Sequence, residues 1–367
     1  MARTLDSTPA ADGYRMPAEW EPHDRTWMSW PERPDTWRNR ALPAQRAFTN
    51  VATAIAAVEA VTMAASGAQL AGASAALGTG VEVVELESDD AWMRDIGPTF
   101  VVDDRGGRRG VDWVFNAWGG HLGGLYSSWE RDDRVASLVL DREGADRYQG
   151  PVVLEGGAIH VDGEGTVLTT EECLLHPNRN PQVSREGLER VLADYLGIER
   201  VLWLGEGVYL DETDGHVDNL ACFVEPGVVA LTWTDDAADP QYERSLDARR
   251  RLESVTDARG RSLDVRLVPH PGPLMMTADE AAGVVSARGT KPRRAGDRLA
   301  ASYVNWYVAN GIVVVPLLDE RLDEVVLELV DALYGGRRAV GVPAREIVLG
   351  GGNVHCVTQQ VPSRRSR

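Results

Sequence analysis

The sequence predicts an α/β protein built from repeated ββα-type units that pack around an axis. Short hairpins of two apolar strands recur along the chain, and amphipathic helical stretches separate them. Two of the segments beside predicted strands also match each other, because residues 154–160 (LEGGAIH) align with residues 349–355 (LGGGNVH). Gly-Gly pairs are common in proteins, but a repeated unit also explains why both segments stand at the mouth of a strand.

Four hairpins share one local design, in which an apolar strand is followed by a tight turn with glycine and then by a second apolar strand. Glycine permits the positive φ angles that such turns require. The first strands are predicted at residues 98–102, 158–161, 220–224 and 303–308, and their turns at residues 103–106, 162–165, 225–227 and 309–311. The residue pattern predicts helices at residues 48–63, 184–196, 239–258 and 321–334.

Length, composition and charge limit the class of protein. The chain has 367 residues, 43% of them hydrophobic, and a formal net charge of −18. Its length alone would suit about two domains, but α/β folds of this size are often one unit. We therefore expect a single domain over residues 1–367, with roughly the first 12 residues disordered. The negative charge disfavours nucleic-acid and anionic-membrane partners and would attract a small cation, although many enzymes are acidic for solubility alone. No run of 18 apolar residues occurs, so no membrane-spanning helix is expected.

The three cysteines differ in their sequence surroundings. An odd and sparse set does not form a disulfide framework, which fits the reducing cytoplasm. Cys222 lies in an apolar strand, and Cys173 follows two glutamates whose charge disfavours a thiolate. Cys356 follows a glycine triplet, Asn353 and His355, so the backbone can approach a ligand and polar neighbours can stabilise a thiolate. Cys356 is therefore the candidate nucleophile.

Polar residues that are unusual at the starts of apolar strands cluster just before the predicted hairpins. Taken singly, each has an ordinary structural explanation: Asp95 could pair with Arg94, and Glu155 could cap a turn. Taken together, they favour one functional site, because the starts of strands arranged around an axis converge. His216 and Asp218 are two residues apart, so on a strand they would face the same side. The candidate residues are Trp92, Asp95, Glu155, His216, Asp218 and Cys356.

The motifs give little support to metal or cofactor chemistry. The seven histidines form no His-Glu-x-x-His motif and no close pair, and no Cys-x-x-Cys pair occurs. None of the glycine pairs leads into a phosphate-binding Gly-Lys-Ser/Thr sequence. We therefore expect neither a metal nor an organic cofactor.

Seven strings in the sequence resemble the motifs of the agmatine deiminase family, which is part of the guanidine-modifying pentein superfamily and related to bacterial peptidylarginine deiminases. They are residues 16–23 (MPAEWEPH), 92–99 (WMRDIGPT), 115–120 (FNAWGG), 154–157 (LEGG), 169–175 (TTEECLL), 211–219 (DETDGHVDN) and 350–360 (GGGNVHCVTQQ). The strings occur in the family's order and span nearly the whole chain. The resemblance implies a pentein fold, which is a closed α/β propeller of five pseudo-symmetric ββαβ-type units. Its fifth unit would be split between the strand at residues 27–30 and the segment of Cys356, or lie in one of them.

The resemblance also implies hydrolysis of the guanidinium group of agmatine, which gives N-carbamoylputrescine and ammonia and serves polyamine (putrescine) biosynthesis. By resemblance, Asp95 and Asp218 hold the guanidinium, and Cys356 attacks its central carbon. His216 donates a proton to the leaving ammonia and then activates water, while Glu155 adds a third carboxylate that could orient His216. Deimination of free or peptidyl arginine, amidino transfer and non-catalytic guanidine binding remain alternatives.

The far end of the substrate separates agmatine from arginine. Arg94 is the only arginine near the predicted site, and on a strand it would point away from the side of Asp95. An acidic pocket would suit the terminal ammonium of agmatine, with Glu212 as its partner and Trp92 packed along the four-carbon chain. Asp214, where many relatives have asparagine, departs from the family pattern. We further expect a homodimer or a higher homo-oligomer in the cytoplasm.

Overall fold

The computed structural model describes residues 2–364 and shows the mixed α/β architecture that the sequence predicts. Its strands are β1 (Thr4–Leu5), β2 (His23–Ser29), β3 (Ala60–Ala65), β4 (Glu82–Glu85), β5 (Thr99–Val102), β6 (Arg108–Val114), β7 (Arg147–Val153), β8 (His160–Val161), β9 (Thr166–Thr170), β10 (Arg200–Leu204), β11 (Ala221–Glu225), β12 (Val228–Trp233), β13 (Asp264–Pro269), β14 (Leu274–Met275), β15 (Arg298–Leu299), β16 (Tyr307–Ala309), β17 (Ile312–Leu317), β18 (Arg338–Pro343) and β19 (Gln359–Pro362). Its α-helices are α1 (Leu42–Ala56), α2 (Leu70–Leu77), α3 (Met93–Ile96), α4 (Gly120–Gly123), α5 (Val135–Glu143), α6 (Glu171–Leu174), α7 (Arg185–Leu196), α8 (Val217–Leu220), α9 (Gln241–Glu253), α10 (Ala278–Ala282), α11 (Asp323–Leu333) and α12 (Arg345–Val348).

Five sheets repeat one arrangement, in which an antiparallel pair of strands is extended by a third strand parallel to the second. A helix joins the second strand to the third, because parallel strands need a crossover connection. The strand sets are β5-β6-β7, β8-β9-β10, β11-β12-β13, β16-β17-β18 and β19-β2-β3. The joining helices, in the same order, are α5, α7, α9, α11 and α1. Within residues 2–364, the predicted alternation of hairpins and helices is confirmed.

The fifth repeat is assembled from the two ends of the chain. Strand β19 pairs antiparallel with β2, so that Gln359 lies opposite Trp27. Strand β3 then pairs in parallel with β2, with Trp27 opposite Thr62. The expectation of a split unit is therefore met, and the segment that contains Cys356 lies next to the N-terminal strand.

Apolar packing between each joining helix and its sheet positions the strands. In α7, Leu188, Leu192 and Leu196 recur at helical spacing and belong to the same buried cluster as Val167 of β9. All five residues of β9 are buried, as expected for a strand covered on both faces. Helix α7 starts where the sequence predicts, because the Ser184 side chain accepts a hydrogen bond from the backbone N–H of Gly187.

The helix predicted over residues 239–258 ends at Glu253, and two further local predictions are wrong. The helix predicted over residues 48–63 ends at Ala56, and residues 60–65 form β3 between β2 and β4. Short runs of alanine and valine fit a buried strand as well as a helix, so strand pairing decides the outcome. The strand predicted over residues 303–308 begins only at Tyr307, and residues 303–306 form an irregular buried segment.

The N-terminal segment, which we expected to be disordered, follows the surface of the fold in the described part of the chain. Strand β1 pairs in parallel with β7, and the backbone N–H of Ala10 donates to the carbonyl of Asp194 at 3.0 Å. These backbone hydrogen bonds, which composition does not reveal, hold the segment in place. Across residues 2–364, helices fall short of the length and apolar character that a membrane span requires.

Candidate active site

Short helical turns just before the first strands of the repeat units carry the candidate residues. Asp95 lies in α3 and Asp218 in α8, Cys356 lies in the 3-10 turn His355–Val357, and Glu155 directly precedes the 3-10 turn Gly156–Ala158. Helix α3 contacts both 3-10 turns, and α8 contacts the turn of residues 156–158. The repeat therefore brings together polar residues that are far apart in the chain.

Cys356 is buried, and its thiol contacts two polar side chains. Its Sγ lies 3.5 Å from Asp218 Oδ2, to which the S–H donates, and 3.3 Å from Asn305 Nδ2. Burial raises the pKa of Cys356 well above its usual value, and the carboxylates of Asp218 and Asp95 raise it further. The thiol of Cys356 is therefore neutral at neutral pH in this arrangement of side chains.

Asp95 is buried with both carboxylate oxygens hydrogen-bonded. Trp118 Nε1 donates to Oδ2 at 2.9 Å, and the backbone N–H of Gly157 donates to Oδ1 at 2.9 Å. Burial raises the pKa of Asp95 to about 6; His216 opposes this shift, and nearby carboxylates such as Asp218 add to it. Asp95 is thus oriented by fixed donors and changes its charge within the range in which most enzymes are assayed.

Glu155 is fully buried and pairs with an arginine that the sequence analysis did not identify. Arg179 Nε donates to Glu155 Oε1 at 2.7 Å. Burial raises the pKa of Glu155, but the charge and hydrogen bond of Arg179 help to bring it down to about 2. Arg179 also donates to the carbonyls of Trp118 and Thr213 and to Asp214 Oδ2, at 2.8, 2.7 and 2.7 Å. Asp214, the departure from the family pattern, therefore helps to hold Arg179.

His216 lies between two carboxylates without a hydrogen bond to either. Its Nδ1 is 3.9 Å from Asp95 Oδ2, and its Nε2 is 3.8 Å from Glu155 Oε2. Among residues 2–364, neither ring nitrogen has a hydrogen-bond partner, and Glu155 Oε2 also has none. Burial lowers the pKa of His216, but Asp95, Cys173 and Glu155 outweigh burial and raise it well above its usual value. A protonated ring with unpaired N–H groups is suited to donating a proton.

Gly157 provides the backbone on which these side chains converge. A Cβ at this position would lie 2.5 Å from His216 Nδ1 and 3.0 Å from one carboxylate oxygen each of Asp95 and Asp218. Any side chain at residue 157 would therefore push the polar groups apart.

Asp218 is held by the histidine that precedes the nucleophile. His355 Nδ1 lies 2.9 Å from Asp218 Oδ2, and His355 Nε2 lies 2.8 Å from Glu19 Oε2. Burial raises the pKa of Asp218, but the hydrogen bond and charge of His355 outweigh burial, so the net shift is downward. Its second oxygen, Oδ1, is buried and has no hydrogen-bond partner among the described residues.

The strand geometry assumed for two of the motifs is wrong. Arg94 and Asp95 share the four-residue helix α3, and His216 immediately precedes α8, which contains Asp218. Arg94 still points away from Asp95: its Nη1 donates to Gln360 Oε1 at 2.7 Å. The sequence therefore predicted correctly that these residues lie close together, but it did not predict that they lie in or beside short helices.

The residues expected at the far end of the substrate lie beside the glycine-rich loop that precedes Cys356. A Cβ on Gly352 would lie 2.4 Å from Trp92 Cζ3, and a Cβ on Gly351 would lie 2.6 Å from Glu212 Oε2. Glu212 Oε1 pairs with Arg293 and lies 3.5 Å from Lys291 Nζ. The expectation that Arg94 is the only arginine near the site is therefore wrong. Glu212 Oε2 remains buried and unpaired among residues 2–364.

Two adjoining cavities lead from the surface towards these residues. The outer cavity has a volume of about 520 Å³. It is lined by residues 120–127, Asp211, Glu212, Asp214 and residues 289–291. A narrow cavity of about 10 Å³ shares Tyr126 and Lys291 with it and reaches Trp92, Trp118 and Arg293. The cavities beside Trp92 and Glu212 are therefore lined by carboxylates but also by two basic side chains.

Within residues 2–364, two buried trios have donor atoms close enough to suit a metal ion. In the first, of Glu19, His160 and His355, the carboxylate is already hydrogen-bonded to His355 at 2.8 Å, which leaves no room for an ion between those two atoms. The second consists of Glu155, Cys173 and His216. Arg179 pairs with Glu155 there, and its positive charge opposes a metal cation.

Five buried residues at the site were not among the candidate site residues predicted from the sequence. Asn305 precedes β16, a position equivalent to that of the other site residues, so the repeat itself was the missed signal. The other four are Glu19, Trp118, Arg179 and His355. Glu19, Trp118 and His355 lie in strings that resemble family motifs, whereas Arg179 lies outside all of them.

Comparisons with known proteins identify the family of the chain. A family described as Porphyromonas-type peptidyl-arginine deiminase matches residues 15–362, and the chain belongs to this family. The agmatine deiminase of Ectopseudomonas mendocina (strain ymp) is 56% identical over 362 residues, which cover 98% of each chain. That of Pseudomonas aeruginosa (strain LESB58) is 56% identical over 361 residues, again 98% of each chain. The solved structure of the agmatine deiminase of Enterococcus faecalis matches with a TM-score of 0.97 and 47% identity over 100% of both chains. The resemblance seen in the motifs is confirmed.

Proposed function

We propose that this chain hydrolyses the guanidinium group of agmatine to N-carbamoylputrescine and ammonia through a covalent intermediate on Cys356. Two carboxylates and a protonated histidine converge on the backbone of Gly157, and the Cys356 thiol lies 3.5 Å from one of those carboxylates; this arrangement carries the proposal. Relatives named agmatine deiminases, at 56% identity over almost the whole chain, support it.

The first half-reaction expels ammonia. Asp95 and Asp218 accept hydrogen bonds from the planar guanidinium and balance its charge. The thiol of Cys356 loses its proton to solvent, its sulfur forms a bond to the central carbon, and the carbon–nitrogen bond to one NH₂ group breaks. His216 gives its proton to that nitrogen, which leaves as ammonia. An S-alkylamidinium intermediate remains on the enzyme.

The second half-reaction returns the enzyme to its starting state. His216, now neutral, removes a proton from water, and the oxygen attacks the carbon attached to sulfur. The carbon–sulfur bond then breaks, the proton of the added hydroxyl group passes to the departing sulfur to restore the thiol, and N-carbamoylputrescine leaves. Glu155 supports His216 through its charge, and Arg179 holds Glu155 in place by a 2.7 Å hydrogen bond.

The substrate itself assists the formation of the nucleophile. Burial and two carboxylates raise the pKa of the Cys356 thiol in the empty site. A bound guanidinium offsets the charges of Asp95 and Asp218 and so favours the thiolate. Alkylation of the substrate-free enzyme should therefore speed up only at strongly alkaline pH, whereas a thiol that alkylates rapidly and independently of pH near neutrality would contradict this step.

An ammonia-release assay with agmatine tests the function directly. We expect stoichiometric ammonia and N-carbamoylputrescine from agmatine, with no added metal or cofactor. A protein that binds agmatine but releases no ammonia would be a guanidine-binding protein. Faster turnover of free or peptidyl arginine than of agmatine would favour an arginine deiminase, and transfer of the amidino group to an added amine would favour an amidinotransferase.

Replacing His216 with asparagine should slow both the formation and the breakdown of the covalent intermediate, each by about a hundredfold or more, because general acid–base catalysis contributes at least that much. Mass spectrometry of reactions stopped at increasing times measures both rates. His270→Asn is the matched control, since His270 is buried but accepts its hydrogen bond from Gly272 outside the site. An intermediate that decays at an unaltered rate in His216→Asn would refute the second role of the histidine.

The pKa of Asp95, raised to about 6, predicts how activity depends on pH. Only the ionised carboxylate holds the guanidinium, so kcat/KM for agmatine should fall as the pH drops below about 6. The pKa of Glu155 is about 2, so this group stays ionised throughout. In Asp95→Asn, the residual kcat/KM for agmatine should no longer fall as the pH drops below about 6. A profile of the wild-type protein that is flat from pH 7 to pH 5, with the fold intact by circular dichroism, would refute the assignment.

The arrangement of the whole chain is proposed on the same basis. The five repeated units suit a closed α/β propeller within a single domain over residues 1–367, because the short turns before their first strands meet at the site. We also propose a cytoplasmic homodimer or higher homo-oligomer. Light scattering of the purified protein tests the oligomer, and fractionation of cells tests the location.

A further inference from the structure

The histidine next to the nucleophile is clamped between two carboxylates. His355 is buried, and its two ring nitrogens lie 2.9 Å from Asp218 Oδ2 and 2.8 Å from Glu19 Oε2. An ionised carboxylate can only accept hydrogen bonds, so two such bonds require a proton on both ring nitrogens. The geometry therefore describes a buried imidazolium that links the N-terminal segment to Asp218.

Glu19, the carboxylate on the other side of His355 from Asp218, is itself held in place. Glu19 Oε1 accepts from the backbone N–H of Val308 at 2.7 Å, and Arg94 Nη2 lies 3.7 Å from Glu19 Oε2. Burial raises the pKa of Glu19, but the charge and hydrogen bond of His355 outweigh burial and lower it strongly. Glu19 is therefore an ionised anchor that favours the charged form of His355.

The clamp also determines which oxygen of Asp218 is available to a substrate. Oδ2 is occupied by the N–H of His355 and the S–H of Cys356. Oδ1 is buried and has no hydrogen-bond partner among residues 2–364. A buried carboxylate oxygen without a donor is costly, so it is suited to receive an N–H of a cationic ligand.

We propose that His355, held as an imidazolium by Glu19, is a positioning residue that keeps Asp218 ionised and turned so that Oδ1 receives the substrate guanidinium. This inference rests on the proposed function, because it assigns a support to one of its guanidinium-binding groups. It gives the N-terminal residues 16–23 a part in substrate binding although they contribute no reacting atom.

Without the imidazolium, burial would dominate at Asp218 and raise its pKa, so the carboxyl group would be protonated as the pH falls. The charged and titratable groups that face His355 are Glu19, Asp218, Arg94 and His160. Burial lowers the pKa of His160 to about 4, so this neighbour stays neutral over the range of the experiment. The predicted signature is a loss of substrate affinity that grows towards acidic pH.

The experiment measures agmatine binding without turnover. Calorimetry gives the dissociation constant of Cys356→Ala alone and of the double variants Cys356→Ala/His355→Gln and Cys356→Ala/Glu19→Gln, from pH 5.5 to pH 8. At each pH, the dissociation constant of each double variant is divided by that of Cys356→Ala. The titration of Asp95 affects all three proteins alike and therefore cancels in this ratio. His355→Gln should weaken binding about tenfold or more at pH 8, and further at pH 5.5. Glu19→Gln, which keeps the acceptor oxygen but loses the charge, should change the ratio in the same direction by a smaller factor.

Cys356→Ala/His160→Gln is the matched control, since His160 is buried and lies 3.9 Å from the same Glu19 oxygen without a hydrogen bond to Asp218. Its ratio should stay within about twofold at every pH. The proposal would be overturned if the ratio of dissociation constants for His355→Gln stayed within twofold of one at every pH. It would also be overturned if His160→Gln weakened agmatine binding as much as His355→Gln and independently of pH. If Cys356→Ala itself failed to bind agmatine, the proposed function and not the clamp would be at fault.

A second measurement does not depend on whether the variants fold. In protein labelled with ¹⁵N-histidine, the ring nitrogens of His355 should report an imidazolium at pH 8, and bound agmatine should leave them protonated. A neutral His355 ring at that pH would overturn the proposal by itself.

Discussion

Replacing Cys356 with alanine should lower agmatine turnover by about ten-thousandfold or more, because the group that forms the covalent intermediate is removed. Binding of agmatine should survive, since Asp95 keeps its hydrogen bonds from Trp118 and Gly157, and the clamp of Asp218 does not involve the sulfur. Serine at this position should be almost as inactive, because its hydroxyl ionises far less readily than a thiol.

Turnover is measured by ammonia release, and binding by calorimetry. Cys222→Ala is the matched control, since Cys222 is buried in the apolar strand β11. It should keep nearly full activity. Cys173→Ala should also keep substantial activity, but it is the less clean control because Cys173 lies close to His216 and Glu155. Near-normal turnover by Cys356→Ala would remove the basis of the mechanism.

The second large effect concerns the choice between agmatine and arginine, which differ by one carboxylate. We expect kcat/KM for agmatine to exceed that for arginine by about a thousandfold, because an unpaired substrate carboxylate among acidic groups costs several kcal/mol. Glu212 Oε2 is buried and unpaired beside the loop that precedes Cys356 and can receive the terminal ammonium. Both terminal nitrogens of Arg293 are already committed, Nη1 to Glu212 and Nη2 to the carbonyl of Gly350, whereas its buried Nε has no hydrogen-bond partner among residues 2–364.

Replacing Glu212 with glutamine isolates this contact. The amide keeps an acceptor for Arg293 but loses the charge, so KM for agmatine should rise about tenfold while kcat changes little. Glu164 lies in the turn between β8 and β9 and pairs with Arg261. Glu164→Gln is the control and should leave both KM and kcat for agmatine unaltered. Equal efficiency of the wild-type protein on agmatine and arginine would refute the pocket, whereas full affinity in Glu212→Gln would refute only this contact.

Much of the architecture could be predicted from the sequence, because the information is local. Alternating apolar residues and glycine turns encode the hairpins, and leucine spacing together with Ser184 encodes α7 and its start. The position of each polar cluster before a strand was also visible. Residues 60–63, predicted as helix, and residues 303–306, predicted as strand, were assigned to the wrong class, since short apolar runs fit more than one conformation.

The sequence by itself thus determined the repeated α/β units and the set of polar groups that share the site. The tertiary structure alone decided which side chains hold those groups: Glu19 and His355 behind Asp218, Arg179 behind Glu155, and Asn305 beside the thiol. It also decided that Glu212 pairs with Arg293. The physical reason is that a hydrogen bond depends on atomic positions within a few tenths of an ångström. Those positions are set by the packing of helices against sheets far apart in the chain, and no local pattern records them.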